Sequence, residues 1–420
     1  MLRVVCFGPG PRFKGGISNY NTSLAKALER HGAEVFIVSW TQQYPAIIPR
    51  NFLDTESKNN LLHDTAITVT YLTNYNNPFT WSATVKYIKS LKPDMVIFQW
   101  AIVLQGLPLG WMARRLITSA NLEVIFDCHL IVQKEASKID KLLTSYGLRP
   151  AYSYIAHAYK TANELQAAFP EKKFTITESG IRKKNENTII KLFHPVYDLF
   201  QPDPNLNITK AKEKLHLKKY VFLFFGFIRK YKGLHDVIRA FKLVTEMRED
   251  VSLLIAGESF WNTLNKNNLS TKLKSTLFKA AKRLVLPQSS NEQDYNPLQL
   301  IDELQLQDSV SVVNRFIANE EVPLYFQVSD CIVLYYSTAT PSGVESLSYN
   351  FNLPVLATRV GHFPETVKDG YNGYLAEPGN IQSMADQMLR IVNNPVPREH
   401  VAASSKQMSW DNYARAILNK

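Results

Sequence analysis

A chain of 420 residues has room for two or three domains of ordinary size, and 45% hydrophobic with 20% charged residues marks it as globular and not disordered. Its net charge of +11 suits anionic partners such as a nucleotide or an anionic lipid surface, whereas scattered lysines and the lack of a binding-module signature argue against nucleic acid. Cys6, Cys128 and Cys331 stand far apart in strand-like runs, as core residues of a reducing compartment would.

Runs rich in Val, Ile and Phe predict strands over 2–8, 33–40, 66–72, 95–100, 123–129, 152–158, 173–179 and 188–195, then over 220–228, 251–258, 309–317, 330–337 and 353–360. LRVVCF, VSLLIAG and CIVLYY are apolar throughout, so they belong in parallel sheets covered on both faces. The fold class is therefore α/β, with two doubly wound domains. The first strand begins at Leu2 and leaves no room for a signal peptide, so a cytoplasmic chain is expected. The apolar stretch 94–113 is broken by Gln99, Gln105, Gly106, Pro108 and Gly110, which predicts a strand, a turn and a helix in place of a bilayer span. Each half opens with a strand, a glycine-bearing turn and an amphipathic helix. The first helix buries Tyr20, Leu24, Ala27 and Leu28 and stops at Gly32, and the second buries Val237, Ile238, Phe241 and Val244. Three prolines in 193–207 mark the boundary, giving an N-terminal domain over 1–198 and a C-terminal domain over 199–400. The remaining residues, 401–420, hold a helix able to pack back on the N-terminal domain.

Doubly wound sheets bind ligands beyond the carboxyl ends of their strands, and the chemistry-bearing residues collect there. Beyond 220–228 come Gly226, Arg229 and Lys232, which offer a fork and a point charge to a phosphate. Ser342, Gly343, Val344 and Glu345 have the form of a capping box, so Ser342 caps a helix whose first N–H groups suit an anion, and Gly343 lets a ligand approach the backbone. His129 ends the strand 123–129, and Gly15 and Gly16 follow the first strand. The histidines show no metal-ligand spacing and no two aspartates stand at i, i+2, so no metal is expected. His157, His194 and His362 are expected to be structural.

These motifs, in order, carry a resemblance over nearly the whole chain: FGPGPRFKGGISNYNTSLAKAL, LFHPVYDLF, FFGFIRKYKGLHDVIRAF, LLIAGE, DCIVLYYSTATPSGVESL and LPVLATRVGHFPETVKDGYNGYL. The chain resembles the retaining glycosyltransferases of the GT-B fold, in family 4 of nucleotide-sugar-dependent bacterial enzymes. The resemblance implies two Rossmann-like domains facing across a cleft. It also implies metal-independent transfer with retention, from a nucleotide-diphosphate sugar to a hydroxyl of a glycan, polysaccharide or lipid-linked acceptor, with the nucleotide sugar as co-substrate and no other cofactor. The C-terminal domain would hold the donor and the N-terminal one the acceptor.

By the same resemblance Gly15 and Gly16 match the glycine loop near the donor phosphates and acceptor, and His129 matches the N-domain histidine that touches the donor sugar. Lys232 matches the lysine that neutralises the leaving diphosphate. Arg229 stands two residues later than the family's usual arginine, and the donor set takes in Gly226, Thr340, Ser342, Gly343, Val344, Glu345 and Ser346. Many members carry two glutamates eight residues apart, and this chain has no such pair. The second would fall near Ser346 and the first near Thr338 or Thr340, so ribose recognition stays open between Glu345 and Ser346, with Glu345 equally suited to a capping role. The alternative function is a non-catalytic nucleotide-sugar or glycan-binding protein on the same scaffold. A nicotinamide enzyme fits poorly, because Gly8-Pro9-Gly10 lacks the third glycine and VFIVSW ends without an acidic residue. Finally, 267–286 reads as a basic amphipathic helix, which makes an anionic membrane surface a candidate partner and a peripheral place on the inner face of the cytoplasmic membrane a candidate location.

Overall fold

The computed structural model describes residues 1–45, 52–131, 137–259, 295–341 and 343–419. The amphipathic segment 267–286 and Ser342 lie outside the described residues. Alternating strands and helices open the chain: β1 (Arg3–Phe7), α1 (Gly16–Arg30), β2 (Glu34–Gln42), β3 (Thr68–Asn74), α2 (Pro78–Ser90), β4 (Met95–Trp100) and α3 (Gly106–Ala120). They continue with β5 (Glu123–Cys128), α4 (Lys138–Leu148), β6 (Ser153–Ala156), α5 (Tyr159–Ala168), β7 (Thr175–Thr177) and β8 (Thr188–Lys191). These strands form one eight-stranded sheet in the order β3-β2-β1-β4-β5-β6-β8-β7, with every pairing parallel.

The second sheet is built from α6 (Ile208–Lys214), β9 (Tyr220–Phe225), α7 (Leu234–Thr245), β10 (Val251–Ala256), α8 (Gln299–Glu303), β11 (Val310–Val313), α9 (Val322–Gln327) and β12 (Cys331–Leu334). It is completed by α10 (Gly343–Asn350), β13 (Val355–Thr358), α11 (Phe363–Thr366), β14 (Gly373–Ala376) and α12 (Ile381–Asn393), after which α13 (Arg398–Ser405) and α14 (Trp410–Leu418) close the chain. Its six strands run β11-β10-β9-β12-β13-β14, again all parallel. In both sheets the order reverses beside the first strand, between β1 and β4 and between β9 and β12. Those switch points are where open α/β sheets leave a crevice.

The apolar runs behave as their composition demands: β4 and β10 are buried along their whole length. The stretch 94–113 divides into β4 and α3, and among the described residues no helix is long and apolar enough to cross a membrane. One strand escaped the sequence reading. β14 is four residues long, and its Gly373 is there because a Cβ would stand 2.0 Å from the Val355 carbonyl of the neighbouring strand.

The C-terminal helix α14 packs on α1, and Arg182 of the first half donates to the carbonyls of Ile417 and Asn419 at 2.9 Å each, satisfying the open end of that helix. Contacts also cross between the halves. Glu320 accepts from the backbone N–H groups of Lys58 and Asn59, and Glu365 accepts from those of Tyr159 and Lys160 at 2.9 and 3.2 Å, at the free N-terminus of α5.

Candidate active site

The first wall of the crevice grows from the ends of β4 and β5. Asp127 interrupts an otherwise apolar strand and is fully buried, which is tolerable only because its oxygens are satisfied. His157 Nε2 lies 2.7 Å from Oδ1, the Tyr20 hydroxyl 2.9 Å from Oδ2, and the Tyr413 hydroxyl 3.2 Å from both. Burial pushes the Asp127 carboxyl up, but His157, His129 and the Tyr20 hydroxyl together outweigh it and hold the pKa below the ordinary carboxylate value. It is a buried carboxylate.

His129 is set by the same network. Its Nε2 is 2.7 Å from Gln99 Oε1, and the Gln99 amide nitrogen lies 3.5 Å from Asp127 Oδ2. A carboxylate only accepts, so the amide turns its oxygen to the histidine, and His129 donates from Nε2. Nδ1 then carries the lone pair, and it has no partner among the described residues. Burial lowers the His129 pKa to about 3 against the opposing pull of Asp127, with His157 adding to the fall, so the ring is neutral. Asp127, His129 and His157 are the group with metal-ligand geometry among the described residues. Asp127 is engaged by His157 Nε2 and the two tyrosines, and His129 Nε2 by Gln99, while the buried His157 Nδ1 has no partner among the described residues.

The second wall follows β9. Gly226 has φ +88°, and a Cβ there would lie 3.1 Å from Lys232 Nζ and 3.6 Å from Val344 Cγ2, so Gly226, Lys232 and Val344 meet. Lys232 is 6% exposed, and among the described residues its Nζ donates only a long bond, 3.4 Å, to the Phe225 carbonyl, with no carboxylate partner. Burial drives its pKa down to about 7, and Arg229 adds repulsion. Arg229 is half-buried at the head of the short turn Lys230–Lys232, its guanidinium 5.1 Å from the Tyr231 ring centre. Thr340 is exposed ahead of α10. Two like charges thus stand beside a glycine turn and a helix start.

Between the walls stands Tyr197, from the segment joining the halves. Its hydroxyl donates to the Gly16 carbonyl at 2.8 Å, and a Cβ at Gly343 would lie 2.5 Å from its ring. One tyrosine therefore fixes the spacing of the two glycine turns. Gly15, at φ +111°, opens α1 beside them with free space where a Cβ would be. Ser346 joins the walls too, its hydroxyl 2.6 Å from His194 Nδ1, and the His194 ring lies 6.2 Å from that of His129.

Glu345 is engaged by side chains of its own half. Its side chain is buried inside the second half, 2.5 Å from His362 Nε2 and 3.2 Å from the Tyr349 hydroxyl, and it also accepts from Thr366 Oγ1. Both oxygens of this carboxylate are thus engaged within the second half. His194 and His362 hold Ser346 and Glu345, the two side chains considered for the ribose. Gln99, Asp127, Tyr20, Tyr197 and Tyr413 were missed by the sequence reading. Asp127 alone left a signal, as a charge inside VIFDCH, a run expected to be buried on both faces.

Two all-parallel Rossmann-like sheets, with the crevice at their facing carboxyl edges, define the GT-B fold. The chain belongs to the family described as Glycosyl transferases group 1, whose profile matches residues 207–416. It is similar to the capsular polysaccharide biosynthesis glycosyltransferase CapM of Staphylococcus aureus, 23% identical over 264 residues, 61% of this chain and 59% of that one. It is also similar to the N-acetyl-alpha-D-glucosaminyl L-malate synthase of Bacillus anthracis, 23% identical over 186 residues, 44% of this chain and 39% of the relative. The matched stretches thus span less than two thirds of these relatives' own lengths. Among solved structures, a glycosyltransferase from Rickettsia africae superposes with a TM-score of 0.64 at 15% identity, covering 99% of this chain and 96% of that one. HepE of Anabaena, solved in complex with UDP, superposes at 0.62 with 16% identity, covering 98% and 96%. At such identities the likeness is one of fold.

Proposed function

We propose that the protein is a retaining glycosyltransferase that moves a sugar from a nucleotide-diphosphate sugar to a hydroxyl of a glycan, polysaccharide or lipid-linked acceptor, without a metal. The observation that carries this reading is Lys232: a buried ammonium, unpaired by any described carboxylate, beside Arg229, a glycine turn and the start of α10. Such a cation is costly alone and favourable once an anion arrives. A diphosphate there would also meet the N–H groups that open α10.

In the reaction the bond from the anomeric carbon to the diphosphate oxygen breaks, and a bond to the acceptor oxygen forms on the same face. Lys232, Arg229 and the α10 N–H groups stabilise the charge growing on the leaving oxygen. The departing phosphate takes the acceptor proton, so no protein nucleophile is required. Neutral His129, with its lone pair on Nδ1, accepts a hydroxyl of the donor sugar and orients it. Because HepE was solved with UDP, UDP and UDP-sugars are the first probes.

The test has two stages. Calorimetric titration should show UDP binding in the wild type and its loss in Lys232→Met, and proton NMR of the product of a nucleotide sugar and a soluble acceptor should show the donor's anomeric configuration kept. An inverted product would overturn retention. Nucleotide-sugar binding with no turnover on any acceptor or water would favour the binding-protein alternative, for which the engaged Glu345 carboxylate speaks.

A further inference from the structure

Away from the crevice floor, the N-terminal half carries a basic surface with exposed apolar side chains. Helix α3 packs between α2 and α4, so the three form one layer over the sheet. Their segments hold six basic residues, Lys86, Lys89, Arg114, Arg115, Lys138 and Lys141, all exposed, against one acid. That acid, Asp140, is committed to the Ser137 backbone N–H and hydroxyl at 2.9 Å each, as the cap of α4. The layer is thus net +5 in a chain of net +11.

The same layer exposes large apolar side chains. Phe79 is 87% exposed at the start of α2, Leu107 47% at the start of α3, and Ile139 55% and Leu142 68% along the first turns of α4, with Leu104 just ahead of α3 at 40%. All five sit at helix N-terminal ends. In a parallel α/β sheet those ends lie beyond the strands' carboxyl edge, so the apolar group rims the crevice on the side of β4 and β5, where His129 follows its strand. The flanking arginines keep to rings, Arg114 over Tyr146 at 5.2 Å and Arg115 over Trp111 at 5.3 Å.

We propose that the face formed by the N-terminal ends of α2, α3 and α4 docks on an anionic bilayer, with Leu104, Leu107, Ile139 and Leu142 entering the headgroup boundary, Lys138 and Lys141 of α4 meeting lipid phosphates, and the remaining basic residues adding long-range attraction. Charge chooses the occupant, because a layer whose described helices carry six basic residues and no free carboxylate suits a polyanion. The apolar tips choose the bilayer over a nucleic acid, whose phosphate backbone gains nothing from exposed leucine and isoleucine. Docked this way, the crevice opens toward the headgroups, where a lipid-linked acceptor would be presented. The proposal is independent of the catalytic reading and places the contact elsewhere than 267–286.

Sedimentation with vesicles of phosphatidylcholine containing phosphatidylglycerol, against phosphatidylcholine alone, tests it with the full chain at low salt. The wild type is expected to sediment with the anionic vesicles only. Leu107→Ser/Ile139→Ser/Leu142→Ser, and separately Lys138→Glu/Lys141→Glu, should each lower partition by about tenfold or more, with circular dichroism and UDP response unchanged. Undiminished partition of both variants would overturn the proposal. So would release by Lys274→Glu/Lys279→Glu/Lys282→Glu while the α4 charge variant stays bound, or wild-type protein that binds RNA and ignores the anionic vesicles.

Discussion

The two walls of the crevice answer the same problem, polar groups taken out of water, in opposite ways. At Asp127 the carboxylate oxygens are met by His157, Tyr20, Tyr413 and, at 3.5 Å, Gln99, so this buried charge is satisfied without a ligand. At Lys232 the amine is buried beside Arg229 with no carboxylate partner among the described residues, so an anion would complete the second wall. A satisfied network holds geometry, while an unsatisfied charge stores binding energy. Mutations should separate the two sharply in stability and activity.

The largest effect is expected at Asp127. Asp127→Ala removes the acceptor shared by His157, Tyr20 and Tyr413 and leaves those groups buried without it, so unfolding in urea should show a loss of about 3–5 kcal/mol. Lys232→Met should do the reverse in the unliganded protein, keeping or raising its melting temperature while abolishing stabilisation by UDP. A Lys232→Met protein as weakened as Asp127→Ala would erase the distinction between the walls.

Next in size is turnover. Lys232→Ala and Arg229→Ala should each reduce it by about a hundredfold or more at saturating donor, with the fold retained. Wild-type rates in either variant would remove that residue from the diphosphate site. The same lysine predicts a pH dependence. Its folded pKa of about 7 lies below the ordinary 10.5, so between those values the unfolded chain holds more protons, and this group's contribution to unliganded stability rises with pH across that window and is flat below it. A bound diphosphate raises the pKa again, so binding takes up a proton above pH 7. UDP affinity should therefore fall with rising pH by up to about tenfold per unit, and Lys232→Arg should flatten the profile.

At the first wall the effects on nucleotide affinity are smaller, and the losses fall on the sugar. His129→Ala should abolish donor hydrolysis and transfer while UDP affinity stays within about twofold, because the ring meets the sugar and not the phosphates. Gln99→Leu frees the His129 tautomer and should lower kcat about tenfold with little change in UDP binding. A large loss of UDP affinity in either variant would contradict the assignment.

How far the residues announced themselves followed from the range of the forces involved. Fully apolar strands such as LRVVCF and VSLLIAG declare parallel sheets by composition, and Lys232 declares itself by lying just beyond one. β14 did not, since four residues beginning at a glycine carry no period to count. Tyr197 could not be foreseen as a spacer either: its role exists only because Gly16 and Gly343, hundreds of residues apart in sequence, pack on either side of it. The same holds for Glu345, whose neighbour in the sequence pattern was Ser342 but whose partner in space is His362.

Glu345 also gives the finest test of the comparison, because it stands in the second wall's helix yet is built like the first wall. Glu345→Gln keeps an oxygen able to accept from Thr366 or Tyr349, and its amide can donate to His362 if that ring changes tautomer. The expected cost is therefore modest, about 1 kcal/mol in urea unfolding. Donor affinity by calorimetry should not change, since both carboxylate oxygens are already engaged. Were the carboxylate instead to swing out and accept two ribose hydroxyls, donor affinity would drop by roughly 1.5–3 kcal/mol. That drop, with stability intact, would move Glu345 from the closed network to the ligand and leave His362 needing another partner.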